Sequence, residues 1–298
     1  MDSAGLPLPL ITDIQSAIRN TARGGFEIAD VAAVGGGDIN ASYRLQGKDG
    51  SRYFVKLNAA RHLPMFVAEA QGLAAIAQTR TIRVPQAVAF GTSAGKCYLV
   101  LEHLELHAHG NARLLGAQLA ALHRCTTDRY GFAHDNFIGT TPQPNAWMDD
   151  WVEFLRERRL GFQLQLAEEN GYGGRLQQLG AQLLERLPAF FAGYKPRPAL
   201  LHGDLWGGNH ACLADGTPVL FDPAACYGDR EADLAMTELF GGYPADFYAA
   251  YRAAWPLDEG YATRRELYNL YHILNHANLF GGGYARQAES MMQRLLAG

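Results

Sequence analysis

The sequence predicts an α+β protein in two lobes. Residues 1–104 form an N-terminal antiparallel sheet lobe with one helix, and residues 105–298 a larger, mostly helical C-terminal lobe. Three observations predict it. Up to Leu104 the apolar residues alternate in short runs broken by glycine-containing turns, the period of half-buried strands. After Gly110 they recur three and four residues apart, the period of amphipathic helices. Among the helical stretches lie Leu200-Leu201-His202-Gly203-Asp204-Leu205-Trp206-Gly207-Gly208-Asn209 and then Val219-Leu220-Phe221-Asp222, two apolar runs that each lead into an acid.

Residues 7–23 read as a short leader and a helix, with Thr12 or Asp13 as N-cap and Ile14, Ala17 and Ile18 on one face. Phe26 to Val34 is strand-like and runs into Gly35-Gly36-Gly37-Asp38-Ile39-Asn40, after which Ala41 to Leu45 returns. Glycines at such a turn let backbone N–H groups approach a phosphate, and they equally make a flexible hairpin. The spacing is that of neither a Walker loop nor a dinucleotide fingerprint. Arg52 to Leu57 is an alternating strand carrying Lys56. Of the four lysines, Lys48 and Lys96 fall in turns and Lys195 beside Pro196, so Lys56 alone sits inside a strand. The helix Leu63 to Gln78 presents Glu69, which either turns inward to pair Lys56 or remains solvated. Gln86–Phe90 and Cys97–Glu102 complete the sheet, and Glu102, His103 and Leu104 lead into a hinge whose backbone would meet an adenine edge.

In the second lobe, Leu114, Leu115, Leu119 and Leu122 mark a helix ending at His123, a packed or capping histidine. Gly131 to Pro144 is polar and turn-rich. Trp147–Gln165 and Leu176–Phe191 are helical, and Pro196 and Pro198 end the second of these. Tyr227 to Met236 opens a helix rich in acids, where Asp229 and Asp233 serve either the helix N-terminus or the H-G-D loop. The helix Leu267–Phe280 carries Asn275 and His276, which either line a sugar pocket or belong to a hydrogen-bonded core.

The chemistry concentrates in H-G-D, the Asn five residues beyond Asp204, and Asp222. At the ends of short adjacent strands, two carboxylates and a carboxamide supply the hard oxygens that Mg²⁺ prefers, with one carboxylate left to take a proton from a hydroxyl. Protein-kinase catalytic loops have the same Asp-to-Asn interval and a later metal-binding Asp, and Lys56 stands where their strand lysine stands. On this reading Asp204 is the base and Asn209 and Asp222 bind metal. Lys56, oriented by Glu69, and Gly35, Gly36 and Gly37 meet the phosphates of ATP.

Bulk properties narrow the partners. A net charge of −4 gives no basic footprint for nucleic acid. No apolar run approaches the roughly 20 residues of a membrane span, and residues 1–12 lack the pattern of a secretory signal. Cys97, Cys125, Cys212 and Cys226 form no C-x-x-C pair and suit a reduced, cytoplasmic setting.

Together, G-G-G-D-I-N at 35–40, F-V-K at 54–56, L-H-G-D-L-W-G-G-N at 201–209, F-D-P-A at 221–224, Y-G-D-R-E-A-D-L-A-M at 227–236 and L-Y-H-I-L-N-H-A-N-L-F-G-G-G-Y at 270–284 resemble the fructosamine/ketosamine-3-kinase family. That family is a branch of the aminoglycoside- and choline-kinase-like group with the protein-kinase fold. The resemblance implies ATP- and Mg²⁺-dependent phosphorylation of the 3-hydroxyl of a ketosamine, free or on a glycated protein, which primes the adduct to eliminate and release its amine. Asp38 stands where some members carry a cysteine, so a thiol switch at the glycine turn is not available. Trp206 either stacks on the sugar-like part of the acceptor or packs beneath its loop. Two other readings compete. One is a kinase of another small hydroxylated amine, an aminoglycoside or choline. The other is a pseudokinase module, which would be expected to lack one of Lys56, Asp204, Asn209 and Asp222; all four are present.

Overall fold

Alternation before residue 102 produces a five-stranded antiparallel sheet in the computed structural model, which describes residues 5–22, 25–35 and 39–298. Its strands are β1 (Ile28–Val34), β2 (Ala41–Gly47), β3 (Arg52–Ala59), β4 (Ala87–Ser93) and β5 (Lys96–Glu102), in the order β1-β2-β3-β5-β4. Two helices belong to this sheet, the two read over 7–23 and 63–78. Helix α1 (Leu8–Ala22) buries Leu10, Ile14 and Ile18 against Val31, Leu45, Val55, Leu57 and Val100 of the strands. Helix α2 (Leu63–Thr79) buries Phe66, Leu73 and Ile76. Neither Thr12 nor Asp13 caps α1. The helix already starts at Leu8, and the Thr12 hydroxyl donates to the Leu8 carbonyl at 3.0 Å from inside the first turns.

The chain divides into two compact units, Met1–Gly110 with Ala211–Asp222, and Asn111–His210 with Pro223–Gly298. The first unit therefore runs past Leu104 and takes back a later segment. Backbone pairing explains the return. His107 and Cys212 exchange N–H···O bonds of 2.8 and 2.9 Å, and the Leu220 N–H donates to the Arg83 carbonyl at 2.9 Å.

The second unit is helical, as its periodicity predicts: α3 (Ala112–His123), α4 (Trp151–Phe154), α5 (Gly161–Glu169), α6 (Arg175–Arg186), α7 (Glu231–Leu239), α8 (Ala245–Ala254), α9 (Tyr261–Phe280) and α10 (Tyr284–Ala297). Residues Leu155–Leu160 join α4 to α5 as a π-helical segment that turns Arg159 into the core. Its main core gathers Trp151, Phe154, Leu160, Leu183, Leu270, Leu274 and Met292 among others. None of the helices among the described residues is long and apolar enough to cross a membrane.

One expectation fails here. The apolar runs leading to Asp204 and Asp222 are not paired neighbours. Ala199–Leu201 pairs antiparallel with Cys226–Gly228, whereas Pro218–Leu220 pairs with His210–Cys212. The short 213–217 link closes that second pair as a local hairpin, and Val219 bridges Arg83 on its other side.

Candidate active site

In the first unit, β3 places Lys56 between Ser42 of β2 and Leu99 of β5. The side chain is nearly enclosed, and an ammonium out of water persists only when paired. Its Nζ donates to Glu69 Oε1 at 2.7 Å and to Asp222 Oδ1 at 2.5 Å. Glu69 thus turns inward from α2, with its carboxylate 12% exposed. Burial works against the Lys56 charge, but Asp222 and Glu69 outweigh it and hold the ammonium protonated well above the usual lysine range. One cation facing two carboxylates leaves an excess of negative charge. Burial, reinforced by Asp222 and opposed by Lys56, pushes Glu69 up to about 7.

Asp222 itself adopts φ 58°. Left-handed backbone at a non-glycine residue is uncommon, though Asp is among the residues that accept it, and such strain gathers at functional positions. Its side chain is 44% exposed. Lys56 engages one carboxylate oxygen, and the other is open to a ligand.

The remaining first-unit candidates lie at the sheet's ends. Gly36 and Gly37, with Asp38, fall outside the described residues; Gly35 follows β1, and a Cβ there would meet nothing within 4 Å. The far side of the turn is tied down, because Asn58 Nδ2 donates to the Ile39 carbonyl at 3.1 Å and to Asn40 Oδ1 at 2.7 Å. The carboxylate of Glu102 is engaged by Arg83 and by the Gln86 N–H, so any adenine contact there falls to backbone. Burial, with the charges of Arg52 and Arg44, lowers the pKa of His103 and favours its neutral ring. Leu104 follows in irregular chain.

In the second unit, a buried carboxylate braces the H-G-D turn from below. Asp233 of α7 accepts the N–H of His202 at 2.7 Å and of Gly203 at 2.8 Å. His123 Nε2 donates to the same carboxylate at 3.1 Å, and its Nδ1 lies 2.8 Å from the Tyr251 hydroxyl. Burial alone would raise the Asp233 pKa; the hydrogen bond and charge of His123, with His202 and the Gly203 N–H, outweigh it and lower it instead. Gly203 has φ 84°, and a Cβ on it would lie 2.1 Å from the Ala224 carbonyl oxygen, so only glycine fits. Asp233→Ala strands two buried N–H groups and His123. It is expected to cost about 3–5 kcal/mol of stability, as removal of one partner from a buried charged cluster does. Urea unfolding measures this, and a loss below about 1 kcal/mol, the size of an ordinary exposed change, would contradict it.

Asp204 and Asn209 are joined directly. Asn209 Nδ2 donates to the Asp204 carbonyl at 2.8 Å and to Asp204 Oδ2 at 3.1 Å. Both amide protons thereby point at Asp204, and the amide oxygen, the atom a hard cation takes, is left out of these bonds. Trp206 is not packed beneath the loop. It is 41% exposed, and its ring covers Gly208, where a Cβ would lie 2.2 Å from the indole.

Of the two readings of Asn275, its surroundings fit the hydrogen-bonded core. It is 3% exposed, accepts from Gln163 Nε2 at 3.2 Å and donates to the Ile138 carbonyl at 3.4 Å. Its neighbour on α9, His276, is half-buried among rings. The charges of 229–233 are all spent internally. Asp229 takes the hydroxyls of Tyr194 and Tyr268, Arg230 donates to the Trp255 and Pro256 carbonyls, and Glu231 takes Arg264 through two bonds. Asp229 thus braces the core behind the loop and makes none of the loop's backbone contacts.

A strand lysine paired to a helix glutamate, a carboxylate–carboxamide loop and a left-handed aspartate on this fold fit a protein-kinase-like small-molecule phosphotransferase. A profile of the fructosamine kinase family matches residues 10–298. The chain is 49% identical to the Synechocystis "Probable ketoamine kinase", covering 97% of this chain and 98% of that one. It is 42% identical to the chloroplastic protein-ribulosamine 3-kinase of Arabidopsis thaliana, over 91% and 83%. The crystal structure of a candidate fructosamine-3-kinase from Haemophilus somnus superimposes with a TM-score of 0.86 at 29% identity, over 95% and 96% of the two chains. The chain belongs to the fructosamine kinase family and is a phosphotransferase with an alcohol group as acceptor.

Proposed function

We propose that this protein transfers the γ-phosphoryl group of ATP to the 3-hydroxyl of a ketosamine, a sugar adduct on a free amine or a protein lysine. The observation that carries the reading is the buried Lys56 held between Glu69 and Asp222. A charge so enclosed is costly to keep, and a phosphate-binding role accounts for it. The acceptor class follows from the ketoamine and ribulosamine kinases among the relatives.

Lys56 contacts the nucleotide phosphates and Glu69 fixes its direction. Gly35, which follows β1, approaches the phosphates, and backbone at Glu102–Leu104 meets adenine. Asp204 orients the acceptor hydroxyl and takes its proton as O3 bonds to the γ-phosphorus and the bond to the β–γ bridging oxygen breaks, leaving ADP. Among the described residues no three His, Cys, Asp or Glu side chains form a self-contained metal centre. Isolated hard oxygens on Asp222 and Asn209 instead match the way Mg²⁺ is held, by one or two carboxylates plus substrate phosphates. When bound, Mg²⁺ supplies charge neutralisation at the β- and γ-phosphates. The indole of Trp206 stacks on the sugar portion. The 3-phosphate then makes the adduct prone to eliminate, freeing the amine, which amounts to deglycation.

An acceptor panel tests this. A ribulosamine or fructosamine is expected to consume ATP and yield a product whose phosphorus couples to the carbon-3 proton in NMR, with the parent amine appearing on standing. Phosphate on another oxygen, or transfer only to an aminoglycoside or choline, would overturn it.

A further inference from the structure

Strand register sorts the side chains of the five-stranded sheet between its two faces. Val31, Leu45, Val55, Leu57 and Val100 meet α1 on one of them. Lys56 lies on the other, in a row of cross-strand partners that runs Val34, Ser42, Lys56, Leu99. The next row on that face runs Ala32, Arg44, Phe54, Leu101, and Glu102–Leu104 continue directly from its end. Helix α2 packs against β4 and β5. On β1, β2 and β3 the same face still meets solvent: Val34 is exposed, and Ala32, Arg44 and Phe54 are half-buried.

Among these mainly apolar neighbours Arg44 stands out. Its Nε is buried and meets no hydrogen-bond acceptor. The acids near the end of β5 are taken, because Glu105 accepts from Arg52 Nη1 at 2.7 Å and Glu102 accepts from Arg83. The guanidinium reaches toward that end of the sheet. With Arg52 it supplies the positive charge that disfavours protonation of His103. A donor kept from water without an acceptor is costly, and an arriving acceptor relieves the cost.

We infer that Arg44 and Phe54 hold the base of the nucleotide, Phe54 against the face of the purine and the Arg44 Nε–H donating to one of its ring nitrogens. This rests on the reading above in which ATP is the phosphoryl donor. Phosphates at Lys56 and a base edge at Glu102–Leu104 lay the nucleotide across the row that holds Arg44 and Phe54, about 7 Å along the strand from Lys56. A purine is flat, apolar on its faces and supplied with ring nitrogens that only accept. A phenyl ring suits the face and an unpartnered donor suits the nitrogen. Phosphate is the poorer partner for Arg44, whose guanidinium acts at the His103 end of the row, away from Lys56.

The test separates the base from the rest of the nucleotide. ATP and ribose 5-triphosphate, which lacks only the base, are titrated calorimetrically with Mg²⁺ into wild type, Arg44→Met and Arg44→Lys. Arg44→Met is expected to weaken ATP about tenfold, the worth of one hydrogen bond from a charged donor. Ribose 5-triphosphate is expected to bind as it does to wild type, which also shows that the variant is folded. Arg44→Lys keeps the charge but has no Nε–H in that place, and it is expected to weaken ATP as much as methionine does. Unchanged ATP affinity in Arg44→Met, or equal losses for the two ligands, would overturn the assignment. So would wild-type affinity in Arg44→Lys, since charge alone would then suffice. Failure of wild type to bind ATP would overturn the nucleotide reading and the assignment with it. No acceptor is present, so the outcome is independent of which hydroxyl compound is phosphorylated.

Discussion

Asp204→Asn is expected to lower the rate of phosphate transfer by about 10²–10⁴-fold, the usual worth of a positioned general base, while nucleotide affinity stays near that of wild type. The substitution keeps size and shape. The new amide oxygen can still accept from Asn209 Nδ2, so the 2.8 and 3.1 Å contacts that close the loop have a counterpart. Asp233 holds the His202 and Gly203 N–H groups from below and is untouched. What disappears is a basic lone pair able to take the hydroxyl proton. Single-turnover transfer with saturating ATP, beside calorimetric titration of the nucleotide, separates the two effects. A transfer rate within tenfold of wild type, or a matching loss of nucleotide affinity, would remove Asp204 from the role of base.

Asp222→Ala is expected to be the most damaging change, lowering turnover by about 10³-fold or more, because on the proposed reaction it deletes the carboxylate offered to Mg²⁺ at the charge that develops in transfer. The structure adds a complication that a companion variant resolves. Asp222 also accepts from Lys56 and holds a left-handed backbone conformation. Alanine tolerates that conformation at a cost of roughly 1–2 kcal/mol, whereas asparagine accepts it readily. Asp222→Asn is therefore expected to be the more stable of the two and still severely impaired, since a carboxamide is a weaker ligand for a hard cation. Melting temperatures and Mg²⁺-dependent ATP consumption distinguish the effects. Full activity of either variant, or full wild-type turnover in excess EDTA, would contradict the assignment.

What the sequence disclosed and what it hid divide along the range of the interactions. Lys56 is legible because strand alternation and the scarcity of lysine are local facts, and Glu69 because only a short turn separates β3 from α2. The bracing of H-G-D was less so. His123 reaches Asp233 across 110 positions, and no periodicity marks a histidine at a helix end as the partner of an acid elsewhere. The helix α9 shows why spacing gives existence before orientation. Asn275 and His276 are consecutive, so a 100° step per residue sends one into the core and the other to the ring cluster. The polar residues of 229–233 read as an acidic helix start, a local fit that concealed partners at Tyr194, Tyr268 and Arg264. Asp222 is legible by its chemistry, whereas its left-handed backbone has no signature in side-chain type.

The return of Ala211–Asp222 to the first unit carries a consequence for biosynthesis. At ordinary elongation rates of about 5–20 residues per second, the ribosome needs on the order of ten seconds to pass from Gly110 to Asp222. Through that interval the nascent chain has no strand partner for His107, no N–H donor for the Arg83 carbonyl, and only Glu69 beside Lys56. The first unit cannot mature in the order in which it is made. A fragment ending at Gly110 is accordingly expected to be less stable than the same sequence within the whole chain, and the amino-terminal half must wait for the translation of a hairpin encoded far downstream before its lysine acquires its second carboxylate.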